Sequence, residues 1–323
     1  MLLAGDIGGT KTLLGLFERG NRRPTPVAIH AYATGRYGNL TAILKQFAAD
    51  IGAPIAIDAA ALGVAGPVIA NRARLTNVVW DIDAAEVSAA FGTARVRLLN
   101  DLAAMGHSVE VLAEDEIAIL QEGVARTDGN AAVIAAGTGL GQAILHRVNG
   151  KLVPLPTEAG HADLAARTDR EIELVRMLRE LYGRAEVEHV LSGPGLLNLH
   201  RFTHRGGQCE LVPDLSDPAA PAQVSQAGLG GRCQGCSEAV RMFTGIYGAE
   251  AGNMALRSMA TAGVFVGGGI APKMLTAFRS PIFMEAFLAK PPMIELLARM
   301  RVSIILNPEA GLLGAAVHAQ QLL

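Results

Sequence analysis

The chain has 323 residues, 50% hydrophobic and 18% charged, which is ample material for a core and too little charge for a disordered polymer. Its 28 basic and 30 acidic side chains leave a net charge of −2, so no field draws in nucleic acid or an acidic membrane face. Aromatics are only 4%, with a single Trp, which argues against stacking platforms for single-stranded nucleic acid.

The length predicts two domains. Leu2–Asp6 reads as a strand, Ile7–Lys11 as a Gly-rich turn, Thr12–Glu18 as a second strand and Val27–Thr34 as a third. Leu40, Ile43, Leu44, Phe47 and Ile51 have helical spacing, which predicts a helix over 39–51. A buried strand over Ile55–Gly63 ends at Gly66-Pro67, a short helix covers Ala84–Phe91, and Arg95–Leu99 is a strand. Asn100–Ala113 reads as a helix with Leu102, Met105, Val109 and Leu112 on one face. The opening pattern then recurs: strand Ala131–Ala136, turn Gly137-Thr138-Gly139, strand Gly141–Val148 and a third at Lys151–Leu155. A period of about 130 residues is too long for a solenoid and predicts two related α/β domains. Helices follow at Asp169–Tyr182, Ser192–Thr203, Pro221–Gly228 and Ser237–Ala260, then strand Ala262–Gly267, strand Arg301–Leu306 and helix Glu309–Leu322. Pro213–Gly231, rich in Pro, Gly and Ala, is expected to be a surface loop with a short helix.

Three cysteines make no disulfide framework in a chain this long. The N-terminus lacks a basic leader, and no run of about 18 apolar residues occurs. The expectation is a cytoplasmic protein with reduced thiols, no membrane partner and no nucleic-acid partner.

Glycine, at 37 residues, exceeds the usual share of about 7%. Three Gly-rich turns each follow a strand: Gly5-Asp6-Ile7-Gly8-Gly9-Thr10, Gly137-Thr138-Gly139 and Gly267-Gly268-Gly269. Glycine lets backbone N–H groups approach a ligand without an intervening Cβ, and successive N–H groups form a nest for phosphate. No GxxxxGK(S/T) loop is present, and neither hairpin opens a helix as a dinucleotide-binding turn does. A hairpin clamp built twice predicts a nucleotide held between two domains. Asp6 beside such N–H groups would repel phosphate directly, and makes sense when Mg²⁺, with its waters, lies between them.

Seven blocks carry a resemblance: GDIGGTK, LLNDLAAMGHSV, AAGTGLG, EAGHADL, EHVLSGPGLLNL, FVGGGIAP and NPEAGLLGAAVHA. In order and spacing they resemble the bacterial glucokinases, relatives of the ROK sugar kinases within the sugar kinase, heat-shock ATPase and actin superfamily. Lys11 follows GGT where that branch usually has Asn, and Ala159 stands where it often has Gly. No cysteine-rich cluster of the ROK kind follows His161.

The resemblance implies an α/β fold of two duplicated actin-like ATPase, ribonuclease H-like domains with a cleft between them. The expected boundaries are a smaller domain over 1–108, completed by a C-terminal helix at 307–323, and a larger one over 109–306. It implies ATP and Mg²⁺ as cofactors, glucose as substrate and a homodimer. Asn100-Asp101 closes a strand and opens a helix, at the strand ends where α/β ligands bind. Phosphoryl transfer to a sugar needs a carboxylate to take the hydroxyl proton. The resemblance puts that role on Asp101, although an Asp there also suits a helix cap. A sugar's hydroxyls want carboxylates, amides and imidazole. The resemblance assigns Asn100, Glu158, His161 and Glu188 to them, with Asn77 as a further candidate, and Gly267–Pro272 to the adenosine. Rival readings are a kinase for another hexose or amino sugar, a polyphosphate-using kinase, a sugar-sensing regulator and an actin-type filament protein. The regulator is disfavoured because the first strand begins at Leu2, ahead of which such regulators carry a DNA-binding segment.

Cys233-Gln234-Gly235-Cys236 offers two of the four ligands that structural zinc wants, and Cys209 a third. With no neighbouring His to complete the set, the expectation is packed or surface thiols.

Overall fold

The computed structural model describes residues 1–52, 56–75, 80–124, 126–205, 207, 209–212 and 214–323. The chain divides into two units, one comprising 1–114, 152–156 and 307–323, the other 115–151 and 157–306.

In the first unit, strands β1 (Leu2–Ile7), β2 (Lys11–Glu18) and β3 (Thr25–Ala33) are followed by helix α1 (Leu40–Ile51) and strand β4 (Ala59–Val64). Three short strands, β5 (Val68–Ile69), β6 (Arg72–Arg74) and β7 (Asp81–Asp83), pair among themselves. Helix α2 (Ala84–Phe91), strand β8 (Val96–Asn100) and helix α3 (Asp101–Ser108) complete the run. The main sheet has the order β3-β2-β1-β4-β8, antiparallel across the hairpins and parallel from β1 through β4 to β8. Local chemistry sets the helix ends. The Asn39 side chain accepts the Ala42 N–H at 2.9 Å to start α1, and Gly52 ends it in the left-handed region at φ 71°.

Side chains alternate between the two faces of a strand. Leu3 and Ile7 of β1 therefore join Leu14, Leu44, Phe47, Val87 and Leu98 in one core. Leu2 and Ala4 face the other way, into a core with Ala59, Ala61, Ala104 and the C-terminal helix, Ala310–Gln321, through Leu312, Ala315, Ala316 and Ala319. Those small residues let the elements approach closely. A Cβ at Gly314 would clash with the Ala104 carbonyl oxygen of α3. Asp6 has the parity of Leu2 and Ala4, so it emerges on the C-terminal helix's face.

In the second unit, β9 (Ile117–Gln121), β10 (Ala131–Ala136) and β11 (Leu140–Val148) precede β12 (Lys151–Thr157), whose middle residues 152–156 belong to the first unit. Helices α4 (Asp169–Tyr182), α5 (Gly193–Thr203), α6 (Ala220–Leu229) and α7 (Gln234–Ser258) lead to β13 (Gly263–Gly267). Helices α8 (Leu275–Phe278), α9 (Pro281–Leu288) and α10 (Ile294–Ala298) lead to β14 (Val302–Ile305). Strand β10 pairs antiparallel with β11 and parallel with β13, which pairs parallel with β14. That repeats the β2-β1-β4-β8 arrangement, so the duplication read from the sequence is present in the topology. The core gathers on α7, whose Phe243 and Tyr247 are fully buried beside Phe278 and Phe283.

Three readings need correction. Helix α3 stops at Ser108, not near 113; the apolar spacing continues because Val109 is buried in the turns that follow. The strand expected over 55–63 begins at Ala59, and its first expected residue lies outside the described ones. Over 214–231 the turns are exposed and a short helix follows, as expected, but that helix is not on the surface all round: Ala220, Val224 and Ala227 of α6 are buried in the core that α5 and α7 share. Among the described residues, no helix is long and apolar enough to cross a membrane.

His107 of α3 and His318 of the C-terminal helix stand with ring centroids 4.5 Å apart. Burial, reinforced by His318, pushes His107 from 6.5 down to about 3. Burial, reinforced by Arg97, pushes His318 down to about 4. Between pH 6.5 and these values the unfolded chain binds protons that the folded chain refuses. Their contribution is therefore complete above pH 6.5 and is lost as the pH falls, by up to about 1.4 kcal/mol per pH unit for each imidazole. Thermal melts from pH 7 to 4 should show His318→Leu losing less stability than the parent; identical slopes would remove the pair from the acid response.

Candidate active site

The carboxyl ends of the parallel strands in the first unit carry two acids. Asp6, Gly63 and Leu99 lie in register across β1, β4 and β8, and Asp101 follows two residues after Leu99. The ends of β1 and β8 are two strand spacings, about 10 Å, apart. Gly63 stands between them: a Cβ there would lie 3.6 Å from the Asp101 Cα and 3.7 Å from the Gly5 carbonyl oxygen.

Asp6 lies against the start of the C-terminal helix, where a Cβ at Gly311 would be 3.1 Å from its Oδ2. Burial pushes its carboxyl from 3.8 up to about 6, offset in part by the charge of Lys11. A desolvated carboxylate at the end of a strand is a locus that a cation would stabilise. Lys11 was singled out in the sequence only as a departure from the pattern; the structure makes it the cation near Asp6.

The turn after β1 closes through the Gly8 N–H, which donates to the Lys11 carbonyl oxygen at 3.0 Å, leaving Gly9 and Thr10 at the tip. Thr34 braces it from below. Its hydroxyl donates to the Gly8 carbonyl oxygen at 2.8 Å, and its N–H to that of Thr10 at 3.0 Å. Sequence reading missed Thr34, because nothing in the local pattern ties a residue after β3 to a turn some twenty-five positions earlier.

Asn100 ends β8 and caps α3, accepting the N–H groups of Leu102 at 3.0 Å and Ala103 at 3.3 Å. The capping expected of Asp101 thus falls to its neighbour. Asp101 is the first residue of α3, half-buried, with Oδ1 accepting the Leu102 N–H at 2.9 Å. A negative charge is favoured in that first turn.

In the second unit, the Gly137 N–H donates to the Gly139 carbonyl oxygen at 2.8 Å. Two groups hold this turn. The Tyr247 hydroxyl of α7 accepts the Ala136 N–H at 3.1 Å and donates to the Ile134 carbonyl oxygen at 3.2 Å. Glu188 Oε2 accepts the Leu140 N–H at 2.7 Å. Glu188 is therefore not a solvated helix charge but a carboxylate fixed at the glycine turn. After β13, Gly268 adopts φ 82° and the Ile270 N–H reaches the Ala136 carbonyl oxygen at 3.4 Å, so the 267–269 turn sits beside the end of β10.

Backbone bonds bring Glu158, His161 and Glu188 together. The Glu188 N–H donates to the Gly160 carbonyl oxygen at 2.9 Å, and the His161 N–H to that of Glu158 at 3.1 Å. Gly160 is required for this approach, since a Cβ there would run into the Leu140 carbonyl oxygen. His161 Nδ1 is 2.9 Å from Glu186 Oε2. That hydrogen bond, with the charges of Glu188 and Glu158, holds His161 above its ordinary value. Asn77 lies outside the described residues.

The glucokinase family model matches residues 3–322. The chain belongs to the glucokinase family. A curated glucokinase of Trichormus variabilis is 34% identical over 345 residues, covering 100% of this chain and 99% of that protein. A solved glucokinase from an Antarctic psychrotroph superposes with a TM-score of 0.86 at 29% identity, covering 99% of this chain and 98% of that one. A ROK family glucokinase from Streptomyces griseus, solved in complex with glucose and AMPPNP, gives 0.65 at 19% identity and 99% coverage of each chain, a likeness of fold. The α/β, actin-like architecture expected from the seven sequence blocks is thus the glucokinase one.

Glu186, next to the glucokinase block that opens at Glu188, was not picked out from the sequence. Its Glu186→Gln variant should lower the His161 titration midpoint followed by NMR. An unmoved midpoint would mean that another group sets the charge of that imidazole.

Proposed function

We propose that the chain is an ATP-dependent glucokinase, moving the γ-phosphoryl group of ATP to the 6-hydroxyl of D-glucose and so feeding sugar into glycolysis. The observation that carries the reading is the pair of acids, Asp6 and Asp101, on one edge and one face of the first unit's sheet. Family membership over nearly the whole chain supports it. The ROK family neighbour solved with glucose and AMPPNP motivates the choice of both substrates.

In this reading Asp101 accepts the proton of the sugar 6-hydroxyl as that oxygen bonds to the γ-phosphorus. The bond from phosphorus to the bridging β,γ-oxygen breaks, and ADP leaves with that oxygen. The turns at Gly5–Thr10 and Gly137–Gly139 would bind the phosphates through main-chain N–H groups, and Gly267–Gly269 the adenosine. Lys11 would add positive charge near the phosphate tail. Asp6 would hold Mg²⁺ through its water shell, and the bound ion would neutralise charge on the phosphate oxygens. The hard oxygen donor and its desolvated setting fit such an ion. Asn100, Glu158, His161 and Glu188, with Asn77, would bind the sugar hydroxyls, each lost partner costing about 1–3 kcal/mol. The roles divide by unit, the first supplying base and metal ligand and the second the carboxylates and imidazole for the sugar. A cytoplasmic location and a homodimer belong to the same reading, on the strength of the family resemblance.

ADP release measured with glucose, mannose, fructose and N-acetylglucosamine, each with ATP and with polyphosphate, tests it. Glucose with ATP should give the highest kcat/KM; a clear preference for another pair would reassign the substrate. In the same assay Asp101→Asn should lose about 10²-fold or more in kcat while glucose still binds by calorimetry. Near-parent turnover would take Asp101 out of the chemistry. Glu158→Ala should raise the glucose KM at least about fivefold, as a lost hydroxyl partner predicts, with little change in the ATP KM. Equal rises in both would place Glu158 away from the sugar.

A further inference from the structure

Between α5 and α7 the second unit gathers all three cysteines of the chain and two histidines. His204 follows the last residue of α5, Cys209 sits in the next loop, Cys233 precedes α7 and Cys236 lies in its first turn. The Cys209 sulfur is 3.8 Å from that of Cys233 and 3.7 Å from that of Cys236. His204 Nε2 is 3.2 Å from the Cys233 sulfur. The His that the sequence lacked as a fourth ligand is therefore present, twenty-nine positions before Cys233, brought back by the α5–α7 packing.

We propose that Cys209, Cys233, Cys236 and His204 form a structural zinc site. Zinc binds thiolate at about 2.3 Å, and tetrahedral geometry at that distance sets sulfurs about 3.8 Å apart. The two sulfur separations meet this value. They are far beyond a bonded S–S pair of about 2.05 Å, and an odd number of thiols would leave one unmatched. The imidazole is oriented for the task. His204 Nδ1 lies 2.9 Å from the His200 carbonyl oxygen, which makes it the donor nitrogen and turns the lone pair of Nε2 towards the sulfurs. The C-x-x-C turn is shaped around that ring. A Cβ at Gly235 would stand 2.7 Å from His204 Nε2, so only glycine lets the turn close on it.

His200 is an independent pointer to a ligand. It is 5% exposed, and neither ring nitrogen has a hydrogen-bond partner. Its ring stacks on that of His204 with centroids 3.9 Å apart, and it offers a nitrogen within 4.8 Å of the donor atoms of His204, Cys209 and Cys236. Binding Zn²⁺ converts three thiols to thiolates, releases three protons and leaves the centre with one net negative charge. An N–H of His200 then has a thiolate to donate to. With four protein ligands the set is closed and keeps no position for substrate, which marks it as structural. Its mechanical role is to pin the loop after α5 to the start of α7, the helix whose Tyr247 holds the 137–139 turn. The inference stands apart from the kinase reading.

The test is metal analysis of the full chain purified under reducing conditions without chelator. One zinc per chain is expected, released together with three titratable thiols by an organomercurial. Cobalt exchanged for zinc should show the intense visible bands of tetrahedral Co²⁺ with sulfur-to-metal charge transfer in the near ultraviolet. Cys233→Ser and His204→Ala should lose the metal, whereas His200→Ala should keep it. Circular dichroism reports whether each variant folds, and where one does not, the cobalt spectrum of the parent protein decides. A folded, metal-free parent that takes up neither zinc nor cobalt overturns the proposal. So does a cobalt spectrum without sulfur bands, or a His200→Ala protein that loses zinc while His204→Ala retains it.

Discussion

Two rules of sheet geometry govern the first unit. Alternate residues of a strand share a face, and parallel strands end at a common edge. Given the order β1-β4-β8, these rules leave Asp6 and Gly63 on one face of one edge, and the start of α3 brings Asp101 over Gly63 on that face. The arrangement is costly. Asp6 is a desolvated acid whose proton is held to about pH 6, in a position where an alanine would join Leu2 and Ala4 in the core. A group that opposes folding and sits where ligands bind is the signature of a site kept for chemistry.

The second unit repeats the scaffold and changes its edge. Asp6 pairs with Gly63 of β4, and the residue in the matching place, Ala135, pairs with Gly267 of β13. Alanine in place of the acid leaves the duplicated turn its glycine backbone without a carboxylate at that position. Its acids come from loops instead. Glu188 is tied to the Leu140 N–H, and the hydrogen bond from Glu186 holds His161 above its ordinary value. Duplication supplied two equivalent hairpins, and divergence at one residue position made them chemically unequal.

Much of this was legible in the chain because period and punctuation agree. The apolar spacing from Leu40 to Ile51, bracketed by Asn39 and Gly52, gave α1 within a residue, and the glycine turns marked both hairpins. What escaped was non-local. Asn100 rather than Asp101 caps α3, since both residue types suit a cap and only geometry separates them. Thr34 braces a turn from beyond the end of β3, and one side of α6 is buried by neighbours that its Pro- and Gly-rich sequence does not announce. The helices α8, α9 and α10 are four, eight and five residues long, too short for an apolar period to declare itself. His204 belongs with the cysteines only after α5 and α7 have packed.

The cover over Leu2, Ala4, Ala59 and Ala61 is drawn from residues 310–321, at the opposite end of the chain. On a ribosome adding about 5–20 residues per second, β1 emerges and then waits some 15–60 s for its partner helix. During that interval one side of the nascent sheet is bare hydrocarbon, a surface for chaperones to shelter. The same delay keeps Asp6 without its Gly311 neighbour until that far segment has been made.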